Sequence, residues 1–407
     1  MPTERLLPLL SQTLASLENE NRLKGAETIL AGEVAAANGK GPRYLIEGEG
    51  AKHFLRMNSN GYLGLAGHEV LKQAEDAAVE RYGSGPGAVR FISGTWSPHV
   101  ALEKRLAQFH GREDAILFSS AYATVLGVLP ALVTDRTAII SDALNHNCII
   151  NAIALSRPKQ KHIYRHLDFA DLETKLDAAS QACDRAIIVT DGVFSMRGDH
   201  ASLGTVMDIA RKHDANFAEN VVVVADDSHG VGAFGATGRG TEEAGGGAPV
   251  DVLVGTLGKA FGVNGGYMTG AAALVRYARE TAATYIYSNP ITAAEAAAAL
   301  AAVDLVDSAQ GRERLERLRT VTRRFRDGLQ KLGLETVPGE HPVVPLIVRD
   351  SARTSALVRH LRANGILATA IVYPVVPRGE EEIRFQICAS HTGADIDEAL
   401  AALAAFG

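Results

Sequence analysis

Five short runs of apolar, largely β-branched residues constrain the fold of this chain more than any other feature. They are AILFSS (115–120), AIISDAL (138–144), AIIVTDG (186–192), VVVVADDS (221–228) and VDVLVGTL (250–257). Strands that are apolar at every position, rather than at alternate positions, are buried on both faces. Each run is separated from the next by a stretch long enough for a helix. We therefore predict an α/β fold with a mostly parallel sheet wrapped by helices.

The whole chain divides into three predicted segments. Residues 1–60 are expected to form an N-terminal helix and an arm, because apolar and charged positions first alternate at helical spacing and then break at NGKGP. Residues 61–290 contain the five runs and form the predicted large domain. Residues 291–407 contain helical patterns and three strand candidates, PVVPLIVRD, GILATAIVYP and EIRFQICAS. This mixture predicts a smaller α+β domain at the C-terminal end.

Charge and cysteine content exclude several classes of protein. A net charge of −6 and a pI of about 6.1 offer no basic surface to nucleic acid or anionic lipid. The three cysteines, Cys148, Cys183 and Cys388, are too few and too scattered for a disulfide framework or a zinc site. The opening MPTERLLPLLSQ lacks the apolar core of a signal peptide, and no later run reaches the ~20 apolar residues of a membrane span. We therefore predict a cytoplasmic location.

Polar residues follow each of the five apolar runs. Ligands in such folds bind beyond the carboxyl ends of the parallel strands, so these residues are expected to lie together. In chain order they are Ser119, Ser120, Ala121 and Tyr122, then Asn145 and His146, then Ser195, then Asp226, Asp227, Ser228 and His229, and finally Thr256 and Lys259. Lys259 stands in a loop rich in glycine, TLGKAFGVNGG, which allows the backbone to approach a ligand closely.

Pyridoxal 5′-phosphate (PLP) matches this set of residues group by group. Its aldehyde needs a lysine for a Schiff base, and its ring nitrogen needs a carboxylate. Its phosphate needs hydroxyls and the free N–H groups of a helix N-terminus, and its ring needs a flat side chain against one face. A poorly solvated Lys259 loses some of its ammonium character and becomes a usable nucleophile. The residues therefore predict a PLP enzyme with Lys259 as its reactive amine.

Seven segments, taken together, resemble one enzyme family. They are SNGYLGL, GAVRFISGT, DALNHNCII, TDGVFSMRGD, VADDSHGVGAFG, TLGKAFG and YSNP. The set is similar to that of the α-oxoamine synthases, which are fold-type I PLP-dependent transferases, and the C-terminal YPVVPRGEEEIRFQICASHT strengthens the likeness. The resemblance implies a mostly parallel seven-stranded sheet and a homodimer with shared active sites. It is closest to the members that join glycine to acetyl-CoA.

The resemblance also implies a role for each matching residue. Lys259 would form the internal aldimine and shuttle the Cα proton, His146 would stack on the ring, and His229 would hydrogen-bond the phenolic oxygen. Asp226 would pair with the ring nitrogen, with Ser195 near His229. The phosphate would be held by Ser120, Ala121, Tyr122 and Thr256, and by Ser288 and Asn289 from a second subunit. The implied substrate-binding residues are Asn60, Arg90, His146 and Arg384, the last holding the amino-acid carboxylate.

The implied reaction is a Claisen-type condensation. Glycine, or another small amino acid, would be joined to a short uncharged acyl-CoA such as acetyl-CoA, giving an α-amino-β-keto acid, or its decarboxylated aminoketone, and free CoA. Val89 before Arg90 is apolar and does not favour a second carboxylate on the acyl group. Val125 and Gly61 depart from the family pattern, however. A different acyl thioester or amino acid, in a specialised pathway, therefore remains an alternative.

Other classes of protein fit less well. GVGAFG (230–235) has the spacing of a dinucleotide fingerprint, but it does not directly follow a strand and is not followed by an amphipathic helix, so an NAD-dependent oxidoreductase is a distant alternative. No G-x-S-x-G elbow is present for a serine hydrolase. Asp226 and His229 lack a third ligand at sensible spacing, so we predict no metal. A non-catalytic scaffold is disfavoured because the residues expected to hold PLP are all present.

Overall fold

The computed structural model describes residues 3–20, 22–23, 25–246, 249–373 and 376–406. The helices in these ranges are α1 (Leu6–Asn19), α2 (Glu69–Tyr82), α3 (Ser97–His110), α4 (Ala121–Leu132), α5 (Asn147–Ser156), α6 (Phe169–Ser180), α7 (Leu203–His213), α8 (Thr241–Ala244), α9 (Ala272–Thr281), α10 (Ala283–Ile286), α11 (Ala293–Val306), α12 (Ala309–Lys331), α13 (Ser351–Ala363) and α14 (Gly393–Ala404). A π-helical turn, Arg90–Gly94, precedes α3, and a 3₁₀ turn, Asp214–Asn216, follows α7.

The strands are β1 (Leu30–Val34), β2 (Arg43–Ile46), β3 (Leu55–Arg56), β4 (Asp114–Phe118), β5 (Thr137–Asp142), β6 (Gln160–Tyr164), β7 (Arg185–Asp191), β8 (Val221–Asp226), β9 (Val252–Thr256), β10 (Gly266–Gly270), β11 (Val343–Ile347), β12 (Ile366–Leu367), β13 (Thr369–Ile371) and β14 (Glu382–Gln386). The five predicted runs correspond to β4, β5, β7, β8 and β9. Residues at nearly every position of these strands are buried, as their apolar sequences require.

A seven-stranded sheet organises the molecule. Its strand order is β4-β10-β9-β8-β7-β5-β6, and β10 alone among these strands runs antiparallel to its neighbours. The predicted α/β class and the mostly parallel seven-stranded sheet are confirmed. Alternate residues along β7 pack against different helical layers, with Ile187 and Val189 facing the layer of α4 and α5, and Ile188 facing the layer of α6 and α7.

Two strands of this sheet, β6 and β10, lack the continuous apolar run that the other five strands have. β6 lies at the edge, where its residues alternate between exposed and partly buried and need no continuous apolar run. β10 has the sequence GYMTG, and glycine is normally disfavoured in strands. Gly266 is required there because a Cβ atom would lie 2.2 Å from the backbone nitrogen of Ala121, at the start of α4. The close approach of strand and helix therefore explains the unusual composition.

The N-terminal region is less helical than its sequence predicts. Helical spacing was expected up to about residue 38, but α1 ends at Asn19 and β1 forms at residues 30–34. The correction follows from tertiary pairing, because β1 is held antiparallel to β2. Isolated helical patterns are easily overridden by such pairing.

The C-terminal part contains a second, smaller sheet. β11, β14 and β13 form three antiparallel strands in that order, and helices α12 and α14 pack against each other beside them. The predicted strand GILATAIVYP is divided into β12, which pairs parallel with β3, and β13, and its last residue lies outside the described residues. The division at residues 60 and 290 into arm, large domain and α+β domain stays a prediction. Among the described residues, no helix combines the length and apolar character needed to cross a membrane.

The substitution Gly266→Ala tests the close approach of β10 to α4. Its Cβ would meet two backbone atoms, Ala121 N at 2.2 Å and Ser120 C at 2.3 Å, which cannot rotate away. We expect the free energy of unfolding to fall by about 1–3 kcal/mol, measured by urea denaturation. Gly85→Ala is the matched control, because no atom lies within 4 Å of its Cβ position, and its effect should stay within about 0.5 kcal/mol. Equal losses in both variants would contradict this packing.

Candidate active site

A cavity of about 240 Å³ opens at the carboxyl ends of β5, β7, β8 and β9. Because parallel strands end at the same edge, the polar residues that follow them meet there. The cavity is lined by Ser120, Ala121, Tyr122, His146, Cys148, Asp191, Val193, Ser195, Asp226, Ser228, His229, Thr256 and Lys259. Nine of these, all except Cys148, Asp191, Val193 and Ser228, are residues that the sequence assigned to cofactor binding.

The N-terminus of α4 forms one end of the cavity. Ser120 caps the helix by accepting a hydrogen bond from the backbone N–H of Ala123 at 3.0 Å. The first N–H groups of a helix lack partners within the helix and, with the helix dipole, attract an anion. The hydroxyl of Thr256 faces the same cavity and donates to the carbonyl of Gly265 at 3.2 Å. This end of the cavity is suited to a phosphate group.

Lys259 lies in the loop between β9 and β10 and is half-buried against the cavity. Burial lowers the pKa of its ammonium group to about 8, and Arg384 acts in the same direction, against the opposing fields of Asp226 and Asp191. A pKa near 8 leaves a far larger fraction of free amine at neutral pH than an exposed lysine has. The structure therefore provides a nucleophilic amine at this position.

Two carboxyl groups meet at the ends of β7 and β8. Asp226 accepts hydrogen bonds from the thiol of Cys148 at 3.5 Å and from the backbone N–H of Ser228 at 3.1 Å. Burial raises the pKa of Asp191 well above its usual range, and the charge of Asp226 adds to the rise. Like charges this close favour protonation of one member. Asp226 lies at the cavity, where its side chain would face the ring nitrogen of the predicted cofactor.

His146 caps helix α5 and is fixed from both sides. Its Nδ1 accepts the backbone N–H of Cys148 at 3.2 Å, and its own backbone N–H donates to Asp191 Oδ2 at 2.9 Å. Burial lowers the pKa of His146 despite the opposing field of Asp226, and Lys259 adds to the lowering, which favours the neutral ring. A neutral, flat ring held in this way can pack against the face of a heteroaromatic ligand.

A row of polar contacts runs from Arg384 through Asn60 and Tyr62 to His229. Arg384 Nη2 donates to Asn60 Oδ1 at 3.2 Å, and the hydroxyl of Tyr62 lies 3.2 Å from the same oxygen and 2.6 Å from His229 Nδ1. The shorter contact has the length of a strong O–H donor bond, so we assign the proton of Tyr62 to the bond with Nδ1. Burial, with Lys259 and Arg384 adding to it, lowers the pKa of His229 well below its usual range. The neutral ring therefore carries its proton on Nε2, as a donor.

Arg384 retains free donors for an anion. With its amide oxygen turned toward Arg384, Gln386 accepts from Nη1 at 2.7 Å and from Nε at 3.3 Å, while Asn60 accepts from Nη2. An arginine has five N–H bonds, so one remains on each terminal nitrogen. Such a pair binds a carboxylate in bidentate fashion.

The donor set of the cavity fits PLP. An anion site, an amine of lowered pKa, a carboxylate and a neutral imidazole occur in one small space. In addition, the hydroxyl of Ser228 is buried at the cavity and has no hydrogen-bond partner among the described residues. A ligand is the natural partner for such a group. Ser120, Ala121, Tyr122, Thr256, Asp226, His146, His229 and Lys259 would hold the cofactor.

Comparison with known proteins gives the family. The chain matches the family described as "Aminotransferase class I and II" over residues 52–403. This chain belongs to that family. The family depends on PLP, so the predicted cofactor is confirmed.

Curated relatives narrow the position within the family. The 8-amino-7-oxononanoate synthase of Thermosipho melanesiensis is 41% identical over 350 residues, which cover 86% of this chain and 87% of the relative. The mitochondrial 2-amino-3-ketobutyrate coenzyme A ligase of Homo sapiens is 38% identical over 401 residues, 98% of this chain and 93% of the relative. Both relatives are α-oxoamine synthases, so the predicted resemblance is confirmed. This chain is an α-oxoamine synthase family enzyme.

Solved structures agree with the fold. A serine palmitoyltransferase of S. paucimobilis with bound PLP has a TM-score of 0.87 and 25% identity, covering 100% of this chain and 98% of the other. The 8-amino-7-oxononanoate synthase of Francisella tularensis has a TM-score of 0.73 and 24% identity, covering 86% and 97% of the two chains. The predicted fold-type I architecture is confirmed.

Five predicted site residues do not line the cavity. Two of them, Asn60 and Arg384, are connected to it through Tyr62 and His229, and the other three are Arg90, Ser288 and Asn289. Arg90 forms a bidentate ion pair with Glu103, at 3.0 and 3.1 Å, and also donates to Thr95 at 2.9 Å, so its guanidinium group is already matched to a carboxylate. The structure therefore gives no support within one chain for Arg90 as a substrate ligand. Ser288 is half-buried and Asn289 exposed, and neither lines the cavity of its own chain. This position is compatible with the predicted role in a second subunit.

The structure adds residues that sequence reasoning passed over. Asp191 ends the strand AIIVTDG and carried the same strand-end signal as Asp226, but Ser195 was preferred. Tyr62 stands within SNGYLGL, where the segment was recognised but its hydroxyl was given no role. Cys148 follows His146 by two residues and had no sequence signal, because only the fold brings it to Asp226. Among the described residues, no group of three or more metal ligands occurs.

The substitution Tyr62→Phe tests the hydrogen bond between Tyr62 and His229. It removes the buried hydroxyl and leaves His229 Nδ1 without its 2.6 Å partner. We expect the free energy of unfolding of the PLP-free protein to fall by about 1–3 kcal/mol, measured by urea denaturation. Tyr277→Phe is the matched control, since Tyr277 is 48% exposed, and should change the free energy by less than about 0.5 kcal/mol. No difference between the two variants would contradict the assignment.

Proposed function

We propose that this enzyme joins glycine, or a similarly small amino acid, to a short uncharged acyl-CoA such as acetyl-CoA. The product would be an α-amino-β-keto acid, or the aminoketone left after loss of CO₂, together with CoA. The observation that carries the proposal is the placing of Lys259, with its pKa of about 8, in one cavity with Asp226 and His146, and in the field of Arg384.

The residues of the site would have separate roles in binding and in proton transfer. When bound, PLP supplies an aldehyde that condenses with amines and a ring that takes up the electron pair left at the substrate Cα. Lys259 would hold the cofactor through Nζ and, once the amino acid has displaced it, accept the Cα proton on the same nitrogen. Asp226 would hold the proton of the ring nitrogen, and Nε2 of His229 would donate to the phenolic oxygen. Arg384 would bind the amino-acid carboxylate through its two free N–H bonds.

A second, larger cavity of about 1040 Å³ provides room for the acyl donor. It shares His146 and Ser195 with the cofactor cavity, so a substrate entering from it reaches the cofactor. It is lined by Ala143, Leu144, Asn145, His146, Asn147, Ile150, Phe194, Ser195, Met196, Arg197, Glu335, Val337, Ile347, Arg349, Val376, Pro377, Glu380 and Glu382. We call it the acyl cavity below.

The charges of the acyl cavity support an uncharged acyl group. Its two arginines are engaged, since Arg197 pairs with Asp199 at 2.9 Å and Arg349 forms an ion pair with Glu335. An acyl chain that ends in a carboxylate, as in 8-amino-7-oxononanoate, would therefore find no unpaired arginine or lysine among the described residues of this cavity. A two-carbon acyl group, as in 2-amino-3-ketobutyrate, has no such need. The preference for an uncharged acyl group was predicted from Val89 beside Arg90, but neither residue lines this cavity.

A homodimer would complete the site. Phe91 and Ile92 are each 66% exposed and Tyr287 is 80% exposed, on neighbouring elements of the chain surface. Exposed apolar groups of this size favour a protein interface. Contact through them would bring Ser288 and Asn289 toward the phosphate of a partner. We also propose a cytoplasmic location, which the three free and buried cysteines support.

A panel of substrates tests the proposed function. The PLP-loaded enzyme is incubated with glycine, alanine or serine and with acetyl-CoA, butyryl-CoA or a dicarboxylic acyl-CoA, and release of free thiol and product mass are followed. We expect the highest kcat/KM with glycine and the short uncharged thioesters, and at least tenfold less with the dicarboxylic one, about 1.4 kcal/mol of discrimination. A preference for the dicarboxylic thioester would overturn the proposed substrate class.

A further inference from the structure

The acyl cavity contains a buried carboxyl group that the proposed mechanism does not use. Glu382 lines this cavity and is only 4% exposed. Its Oε1 atom is fully buried and has no hydrogen-bond partner among the described residues. Polar groups in native structures are rarely left in this condition without a ligand, water or functional reason. Glu382 therefore requires an explanation beyond folding.

The strand that carries Glu382 also carries Arg384. Side chains two residues apart on a strand point to the same face, so the carboxyl and the guanidinium group follow each other at a spacing of roughly 7 Å. β14 is the central strand of its sheet, and Glu382 is paired with Ile347 on one side and Ile371 on the other. The backbone therefore holds both groups at a fixed separation.

If Arg384 binds the amino-acid carboxylate as proposed, this spacing would place Glu382 beside the acyl group. The amino-acid carboxylate held by Arg384 is bonded to the Cα atom that attacks the thioester carbon. The first few atoms of the acyl chain then extend from that carbon into the acyl cavity, where Glu382 lies. A recognition group two or three bonds beyond the thioester carbon would be within reach of its carboxyl.

No cation within the cavity neutralises Glu382. Neither Arg197 nor Arg349, which are paired with Asp199 and Glu335, forms an ion pair with it among the described residues. Burial raises the pKa of Glu382 to about 7, against the lowering fields of Arg384 and Arg197. At and above neutral pH the carboxyl group is therefore increasingly ionised, and in that state it can only accept hydrogen bonds.

We propose, on the basis of the acyltransfer function proposed above, that Glu382 selects uncharged acyl thioesters whose chain carries a hydroxyl group within its first four carbons. A donor on the chain would give the carboxyl group of Glu382 a hydrogen-bond partner, whereas a plain alkyl chain would not. Sites built around a hydrogen bond discriminate strongly against analogues that lack the partner group. A terminal carboxylate is rejected because like charges would meet in a poorly solvated space.

Matched four-carbon thioesters test the proposal on the PLP-loaded enzyme. With glycine as partner, kcat/KM should be at least tenfold higher for 3-hydroxybutyryl-CoA than for butyryl-CoA, and at least tenfold lower for succinyl-CoA. Glu382→Leu removes the acceptor and should bring the hydroxybutyryl-to-butyryl ratio to about one. Glu382→Gln keeps an acceptor without charge, so it should retain part of the hydroxyl preference and lose the rejection of succinyl-CoA. A ratio of two substrates cancels the active fraction, so partial misfolding does not imitate the result.

Glu380→Gln is the comparison variant, because Glu380 lines the same cavity with an exposed carboxylate that water already solvates. Its hydroxybutyryl-to-butyryl ratio should stay within threefold of that of the unmodified enzyme. An unchanged ratio in Glu382→Leu would overturn the proposal. An equal loss of kcat/KM for all three thioesters in Glu382→Leu would also overturn it, because the group that Glu382 recognises would then lie on the CoA portion.

Equilibrium binding separates this proposal from the proposed function. The 3-hydroxybutyl and butyl thioethers of CoA cannot react, and their affinities are measured by calorimetry with the same variants. If no thioester is turned over, the proposed function fails. Tighter binding of the hydroxybutyl thioether, lost in Glu382→Leu, still supports the role of Glu382. Equal affinities in the unmodified enzyme overturn it.

Discussion

The burial of one amine at the edge of a parallel sheet is the constraint on which the rest of the site depends. Lys259 loses part of its hydration in the loop between β9 and β10, and its pKa falls to about 8 despite the carboxylates of Asp226 and Asp191. A buried ammonium is costly unless a charge compensates it, and the field of Asp226 is the main one that opposes the loss. Desolvation thus keeps the lysine reactive against the field of the neighbouring carboxyl groups.

The backbone of this loop explains how the amine is held there. Gly262 has a φ of +73°, and a Cβ at that position would lie 2.5 Å from the backbone nitrogen of Ala66. The loop can pack this closely only without a side chain. β10 then returns antiparallel between β9 and β4, which anchors both ends of the loop in the sheet. The antiparallel strand is therefore part of what positions the reactive group.

Much of the fold and of the site could be predicted because the signals are local. Each apolar run determines a strand, and the residue after each run is placed by the common edge of the sheet, as for His146, Asp226 and Lys259. Elements that depend on tertiary contact could not be predicted. β10 has the composition of a turn, and β1 lies in a stretch with helical spacing. The pairing of Arg90 with Glu103 likewise depends on helix α3, since Glu103 lies thirteen residues further along the chain.

One face of β14 links the two cavities. Gln386 accepts hydrogen bonds from Arg384, and Arg384 donates to Asn60. Tyr62 lies between Asn60 and His229. Glu382 lies on the same face of β14 and lines the acyl cavity. Under the proposed function the smaller C-terminal sheet would contribute recognition of both substrates, whereas the large sheet contributes the residues that line the cofactor cavity. A rigid central strand is well suited to keep these groups in register.

The most direct test of this account is to locate the covalent attachment of the cofactor. The protein is saturated with PLP, reduced with borohydride, digested and analysed by mass spectrometry, with Lys259→Ala treated in parallel. The account predicts one phosphopyridoxyl group per chain, on the peptide that contains Lys259, and none in the variant. An unlabelled Lys259, or labelling of another lysine at full occupancy in both proteins, would contradict it.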